Sequence, residues 1–486
     1  MNGFALCYAI RKAERWVMSV SVEKKKVVGF CTMVIQANER VNFISELYRC
    51  LDERYFKLMV FNSSTDFEVS ALRDDGEKAI YSLINYDIID YLIIDSLHFK
   101  NRVVMDGIIA TAKAHNCPIL LLHPDKERDD CIMIKTDYED SYKHVVRHLV
   151  EQHNIKDFYY IGGEQGEQET ERRRKYIEEV LSETGLSLRE ERVAYGHYYE
   201  EPTKYIVEGV IERGELPEVF VCANDLMALG AYEALEERGY KVGKDVKVIG
   251  FDGLVYTHTM EPCLTTVKMT ERELAIGCVR ALYDITRGIE RHSYTLYYEP
   301  VIAESCGCTM NWRTKRAIFK HSAYKITEQL RRVERVRYNE DKTFDILDEV
   351  FNIEEVPNLY SLWTNLVDYG GYICLKKDFA NCVLTGNPVL EDGSTEFSDE
   401  YFVMLNSARG EDVTETVKPH KTKHMVPDLR EWIEGDNSGI YVLLPITAKQ
   451  VVCGHYAVRV TDIKGMLHRC NRTCRAIDII LTEGIS

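Results

Sequence analysis

The chemistry available to this chain is concentrated in the run Val219–Gly253, which reads VFVCANDLMALGAYEALEERGYKVGKDVKVIGFDG. Val219–Cys222 has the length and character of a buried strand, and Asn224-Asp225 stand at the mouth of a helix expected over Leu226–Arg238. A further strand, Val246–Phe251, ends in Asp252-Gly253. Polar groups placed where parallel strands end and helices begin lie at the carboxyl edge of an α/β sheet, the edge at which such folds hold ligands. Carboxamide and carboxylate groups there offer directional donors and acceptors to a small polar molecule such as a polyol. Plainer roles compete with this one. Asn224 and Asp225 can cap the helix that follows, and Asp252 can serve a turn with Gly253.

Motifs for covalent or metal chemistry are missing. The sequence has no G-x-x-x-x-G-K-[ST] phosphate loop, no G-x-S-x-G elbow and no H-E-x-x-H pair. Gly162-Gly163 lacks dinucleotide-loop spacing, and Gly370-Gly371 continues Tyr-Ile-Cys, so no GG[DE]EF cyclase site is present. The metal-like clusters are Cys306-x-Cys308 and His468-x-Cys470-x-x-x-Cys474. A zinc site wants four ligands, usually as two spaced pairs. Cys470 and Cys474 lie on an apolar helical seam and read as buried thiols, and Cys306 with Cys308 supplies too few ligands. No metal, no cofactor and no enzyme activity are expected.

The elements that must position these residues alternate strand and helix from Lys26 onward. Strands are expected at Val27–Met33, Phe56–Phe61, Ile88–Asp95, Pro118–His123, Asp157–Ile161, Val193–Tyr195, Val219–Cys222 and Val246–Phe251. Between them, helices are expected at Glu39–Tyr55, Lys78–Asn85, Val103–His115, Tyr138–His153, Thr170–Glu183, Pro202–Arg213 and Leu226–Arg238, with Glu271–Thr286 closing the series. Short apolar strands between longer helices mean parallel sheets covered on both faces. There are more repeats than one open sheet of common size holds, so two lobes are expected over 26–308.

The texture changes after Cys308. Trp312–Tyr338 contains no Gly or Pro, and Phe319, Ala323, Ile326, Leu330 and Val333 form an a/d seam. A linker helix over 309–340 is expected, its seam serving either a dimer or its own domain. Residues 341–460 read as a smaller α+β module. Its helices are expected at Phe344–Phe351 and Leu359–Asp368, and its strands at Tyr372–Lys376, Tyr401–Leu405, Gly439–Pro445 and Val451–Arg459. A second heptad-like helix is expected over 461–486, through Leu467, Cys470, Cys474, Ile477 and Leu481.

The run Val219–Gly253 resembles the effector-binding domain of the lac-repressor/galactose-repressor (LacI/GalR) family. Asn62-Ser63-Ser64, Asp137–Leu149, Phe158–Gly163, Pro262–Val267 and Gly277–Gly288 are similar to further family motifs in the family's order. The resemblance covers about 26–303. It implies a type I periplasmic-binding-protein fold, in which two α/β lobes joined by three crossovers clamp a small polar ligand. It also implies ligand contacts at Asn224, Asp252, Asp137, Asn62 and Arg173. Arg173 lies in the charge run Arg172–Arg174 and is expected on a solvated helix face, and bulky Tyr176 or Ile177 replaces the family's small residue after it.

The family's N-terminal helix-turn-helix has no counterpart in residues 1–25, a short mixed segment. ESCGC (Glu304–Cys308) resembles regulators whose repressor-like sensor joins a C-terminal output, and 341–486 look faintly like a GAF domain. DNA contact is therefore expected from a part or partner outside this chain.

Composition narrows the classes. The chain has 486 residues and a formal charge of −17, which argues against broad phosphate binding. No apolar run approaches the length of a membrane helix, and the charges Arg11, Lys12 and Arg15 follow the N-terminal apolar stretch instead of preceding it, unlike a signal peptide. Scattered cysteines such as Cys31, Cys222, Cys278, Cys374 and Cys453 read as reduced thiols of a cytoplasmic protein. The expected function is a homodimeric, ligand-responsive regulator of transcription whose small polar effector is a sugar and whose closure is relayed to the C-terminal module, with no membrane partner. The alternative is the sensory portion of a signalling enzyme of the diguanylate cyclase type. A transport binding protein is disfavoured by the missing signal peptide.

Overall fold

The computed structural model describes residues 25–35, 38–65, 76–97, 99, 101–311, most of 313–330, 371–385, 396–406, 419–435, 437–448 and 451–463. They form two compact units, one from residues up to 133, 282–292 and those from 343 on, the other from 134–281 and 293–342. Among the described residues the chain passes between the units three times, at Met133/Ile134, Ala281/Leu282 and His292/Ser293.

The first unit begins with β1 (Lys26–Met33), α1 (Asn38–Cys50), β2 (Phe56–Ser63), β3 (Ile89–Asp95), α2 (Arg102–Ala114) and β4 (Ile119–Leu122). These strands lie parallel in the order β4-β3-β1-β2. Their unbroken apolar runs are buried throughout, as strands covered on both faces must be. Asn101 starts α2 by accepting the amides of Val103 and Val104. β5 (Ile132–Asp137) then carries the chain into the second unit.

The second unit holds α3 (Glu139–His153), β6 (Phe158–Gly162), α4 (Gln168–Glu183), β7 (Val193–Tyr195), α5 (Glu200–Glu212), β8 (Val219–Cys222), α6 (Asp225–Glu237) and β9 (Lys247–Ile249). The strands are parallel in the order β7-β6-β8-β9. Alternation along β6 divides the cores. Phe158 and Tyr160 pack with Tyr142, Val145 and Leu149 of α3 and Ile177 and Leu181 of α4. Tyr159 and Ile161 pack with Val207 and Val210 of α5 and Ala228, Ala231 and Leu235 of α6. β10 (Thr266–Lys268), α7 (Glu271–Thr286), β11 (Ser293–Tyr297) and β12 (Glu299–Val301) follow, with β10 and β12 paired antiparallel. Helical residues recur between 313 and 330, where Phe319 and Leu330 are exposed. Val333 of the expected seam lies outside the described residues.

The C-terminal segment departs from expectation. β13 (Gly371–Leu375), α8 (Lys377–Thr385), β14 (Glu400–Asn406), β15 (Pro419–Lys421), α9 (Leu429–Glu434), β16 (Ile440–Ala448) and β17 (Val451–Val460) are not a module apart. β16 lies parallel on β2, pairing Tyr441 with Met59 and Leu443 with Phe61. The sheet therefore continues as β4-β3-β1-β2-β16-β17-β13-β14-β15. One apolar cluster joins Cys31, Met59 and Phe61 to Tyr372, Trp432, Tyr441 and Leu443. The physical reason is that a buried parallel edge must be completed, and β16 completes it. Lys57 of buried β2 donates to the Asn437 carbonyl at 2.6 Å and lies 5.7 Å from the Trp432 ring. The helices expected at 344–351 and 359–368 lie outside the described residues, as does 464–486. No helix among the described residues is long and apolar enough to cross a membrane.

Trp432 is fully buried in this cluster, edge-on to Tyr441 at 5.1 Å. Trp432→Ala is expected to cost about 3–5 kcal/mol in denaturant unfolding followed by circular dichroism. Amide exchange along β2 should accelerate in the same variant, whereas a separately folding C-terminal module would leave those amides unchanged.

Candidate functional site

At the carboxyl edge of β6, β8 and β9 the chain gathers three of the five residues singled out from sequence, Arg173, Asn224 and Asp252, while Asp137 stands at the end of β5 beside Tyr138. They are not equal once placed. The Asn224 side chain caps α6, accepting from the Met227 amide at 2.8 Å and donating to the Tyr198 carbonyl at 3.2 Å. Asp225 beside it is fully buried, accepting from the Leu254 amide at 2.8 Å and the Thr266 hydroxyl at 2.7 Å. Both residues thus hold the loop and helix that frame the edge, and the capping role read from sequence belongs to Asn224. Asp137 ends β5, where its carboxylate accepts the Glu139 amide at 2.9 Å at the start of α3.

Arg173 overturns its expected solvated position. It lies on the inward side of α4, 8% exposed, with its guanidinium carbon 3.8 Å from the Phe251 ring centroid and 5.5 Å from that of Tyr138. One terminal nitrogen donates to the Ala223 carbonyl, while Nε is buried with no hydrogen-bond partner among the described residues. A buried donor left unmet costs about 1–3 kcal/mol, so this one asks for an acceptor. Burial works against the charge, but Tyr138 and Asp252 hold the guanidinium above its ordinary pKa. The local rule that a run of arginines is solvated failed because one position in three on a helix still faces the sheet.

Around Arg173 stands an aromatic box. Tyr138 meets Phe251 edge-on at 5.0 Å, Phe251 lies 5.4 Å from Tyr298, and Tyr138 lies 5.7 Å from Tyr298. Tyr138 also donates to Glu169 at 2.6 Å. Tyr138, Tyr298 and Glu169 were missed from sequence, because strands and loops far apart in the chain bring them together. Phe251 was visible only as the residue before Asp252.

Asp252 carries the strain of the site. Its φ of +111° is one that L-residues rarely adopt, at a cost of about 1–3 kcal/mol. The amide is fixed on the Val267 carbonyl at 2.9 Å, so the backbone is held there by β10. Its charge, after burial, pushes the Asp225 carboxyl up to about 8. The arrangement offers a flat aromatic face, an unmet guanidinium donor and a carboxylate, a set suited to a ring-bearing polar molecule.

Asn62 belongs to the first unit. It is fully buried at the end of β2, where Oδ1 accepts the Ile35 amide at 3.0 Å and Nδ2 has no hydrogen-bond partner among the described residues. Buried Thr32, Ser63, Ser64, Asp95 and Ser96 line the carboxyl ends of β1, β2 and β3 with it. This edge too is polar where its strands are apolar.

Residues 146–306 match the family model described as a periplasmic binding protein-like domain. Over 245 residues the chain is 29% identical to the HTH-type transcriptional repressor MelR of Bacillus subtilis, covering 45% of this chain and 70% of that protein. It is 24% identical over 293 residues to the HTH-type transcriptional repressor PurR of Pasteurella multocida, covering 59% and 83%. A crystal structure of the Escherichia coli transcriptional repressor AscG aligns over 58% of this chain and 99% of that one, at 21% identity and a TM-score of 0.47. The chain thus carries a periplasmic-binding-protein-like α/β domain similar to those of LacI/GalR-type regulators.

Asn224→Ala is expected to lower the stability of the second unit by about 1 kcal/mol through the lost cap, measured by denaturant unfolding. Asp225 gives a pH signature. Its folded pKa is raised, so the stability it contributes is full below about pH 4 and is lost as pH rises through about 8. Melting temperature should therefore fall across that window more steeply in the wild type than in Asp225→Asn. Parallel curves would show that the carboxyl does not titrate there.

Proposed function

We propose that this chain is a ligand-responsive regulator of transcription and not an enzyme. In this reading a small polar molecule, a sugar, binds at the carboxyl edge of the second unit. Its ring lies against the aromatic box, and its hydroxyls are taken by Arg173, Asp252 and Asp137. Asn62 is proposed as a polar contact at the carboxyl edge of its own unit's sheet, and Asn224 acts mainly by holding the second unit's edge in shape. The carrying observation is the buried guanidinium over Phe251 with Nε unmet. The likeness of 146–306 to periplasmic binding proteins, and of the chain to repressors of transcription, supports the same reading.

Relay to the C-terminal segment is proposed to run through the shared sheet. β16 and β17 extend the strands whose ends bear Asn62, so a ligand that favours one arrangement of that edge biases the segment beyond it. The protein is proposed to act as a homodimer in the cytoplasm, with DNA contacted through a part or partner outside this chain.

A thermal-shift screen of the full chain against sugars, polyols, nucleosides and amino acids tests the reading, since a ligand at 100 times its Kd stabilises by about 2.7 kcal/mol. A sugar is expected to raise the melting temperature. By calorimetry its affinity should fall about tenfold or more in Asp252→Asn and in Arg173→Lys, one lost charge-assisted hydrogen bond being worth about 1.5–3 kcal/mol. Unchanged affinity in both folded variants would overturn the site, and a response confined to another ligand class would overturn the sugar.

A further inference from the structure

We propose that His148, His153, Cys306 and Cys308 form a structural zinc site. The four ligand atoms come from opposite ends of the second unit's sequence, two from the last turns of α3 and two from the turn that follows β12. They lie within 4.8 Å of one another. His148 Nε2 is 3.2 Å from His153 Nε2, 3.2 Å from Cys308 Sγ and 3.7 Å from Cys306 Sγ, and His153 Nε2 is 3.3 Å from Cys308 Sγ. Tetrahedral zinc, with bonds of about 2.3 Å to sulfur and 2.0–2.1 Å to nitrogen, holds its ligand atoms about 3.3–3.8 Å apart. The four spacings given, 3.2–3.7 Å, lie close to that figure, and the remaining two pairs lie within 4.8 Å.

Hydrogen bonding does not account for the cluster. An imidazole Nε2 has one in-plane direction, with either one proton or one lone pair, yet His148 Nε2 faces three heteroatoms. Cys306 has an alternative partner in the Ala303 carbonyl at 3.1 Å, but the hydrogen-bond partners of the Cys308 and His153 side chains among the described residues lie within the group. A cation at the centre gives every lone pair the same target. Two thiolates and two imidazoles select zinc among the divalent ions by softness and geometry. Gly307 makes the Cys-x-Cys arm possible, because its φ of +99° turns both sulfurs to one side, a conformation strained for any side chain. The histidines are five residues apart, within the range of paired zinc histidines. The sequence shows the two pairs 158 residues apart, with no local signal joining them.

Such a site ties the exit of the α/β domain to α3 just before the helical residues that begin at 313. Lys315, paired with Glu304 at 2.8 Å and Glu261 at 3.1 Å, anchors the same take-off point. Zinc content of the full chain, purified without chelator, tests the proposal. About one zinc per chain is expected, falling about tenfold or more in the Cys306→Ser/Cys308→Ser double variant and in His148→Ala. Should those variants fail to fold, cobalt exchanged into the wild type is expected to give visible d–d bands and a near-ultraviolet thiolate charge-transfer band. Zinc retained by the folded double variant, copper or iron in place of zinc, or a wild type with neither zinc nor the cobalt bands would overturn it.

Discussion

A parallel β-strand at the centre of an α/β sheet is buried on both faces and needs a neighbour on each edge. In the first unit that requirement falls on β2, every residue of which is buried. β16 meets it from the far end of the sequence, and most of what distinguishes this chain follows from that one pairing. It converts a parallel half-sheet into a mixed sheet whose remaining strands are antiparallel. It also makes Trp432 and Tyr441 part of the same apolar core as Phe61 and Cys31. Lys57, Tyr48 and Glu53 then reinforce the seam with bonds to the 437–439 backbone.

The second unit manages charge where the first manages edges. Asp225, Asp252 and Arg173 stand close together at the end of a four-stranded sheet, all of them shielded from water to some degree. Burial favours neutral forms, so the charges persist only through one another and through backbone dipoles. The guanidinium answers Asp252, and Asp225 takes amides and a hydroxyl but is still pushed toward its protonated form. Buried charge is expensive to keep. It is concentrated here at the carboxyl edge of the sheet, the edge at which α/β folds hold ligands.

The alternation of strand and helix from 26 to 286 was legible because hydrophobic period and strand length are local properties. Val193–Tyr195, Val219–Cys222 and Glu271–Thr286 lie where periodicity put them, and the expected strands at 372–376, 401–405, 439–445 and 451–459 also formed. What local pattern could not carry was partnership. Nothing within Gly439–Pro445 announces that it pairs with Met59–Phe61, since a buried strand looks alike whichever sheet receives it. Arg173 failed for the same reason, its burial being set by Phe251 and Tyr138 and not by Arg172 and Arg174. The polar ends at Asn62, Asn224 and Asp252 were legible as an edge, because a polar residue closing an apolar run marks where a strand stops. Their division between capping, backbone strain and burial needed three dimensions.

The β2–β16 pairing also sets an order in time. Lys57 leaves the ribosome 380 residues before Asn437, the residue whose carbonyl it will bind. At the usual rates of synthesis that interval is on the order of half a minute to a minute. Within it the second unit, whose apolar layers draw on residues no later than Cys308, can complete its own sheet and both of those layers. The first unit waits with an unfinished core, so the nascent chain matures from its middle outward, and its oldest segment is among the last to become native.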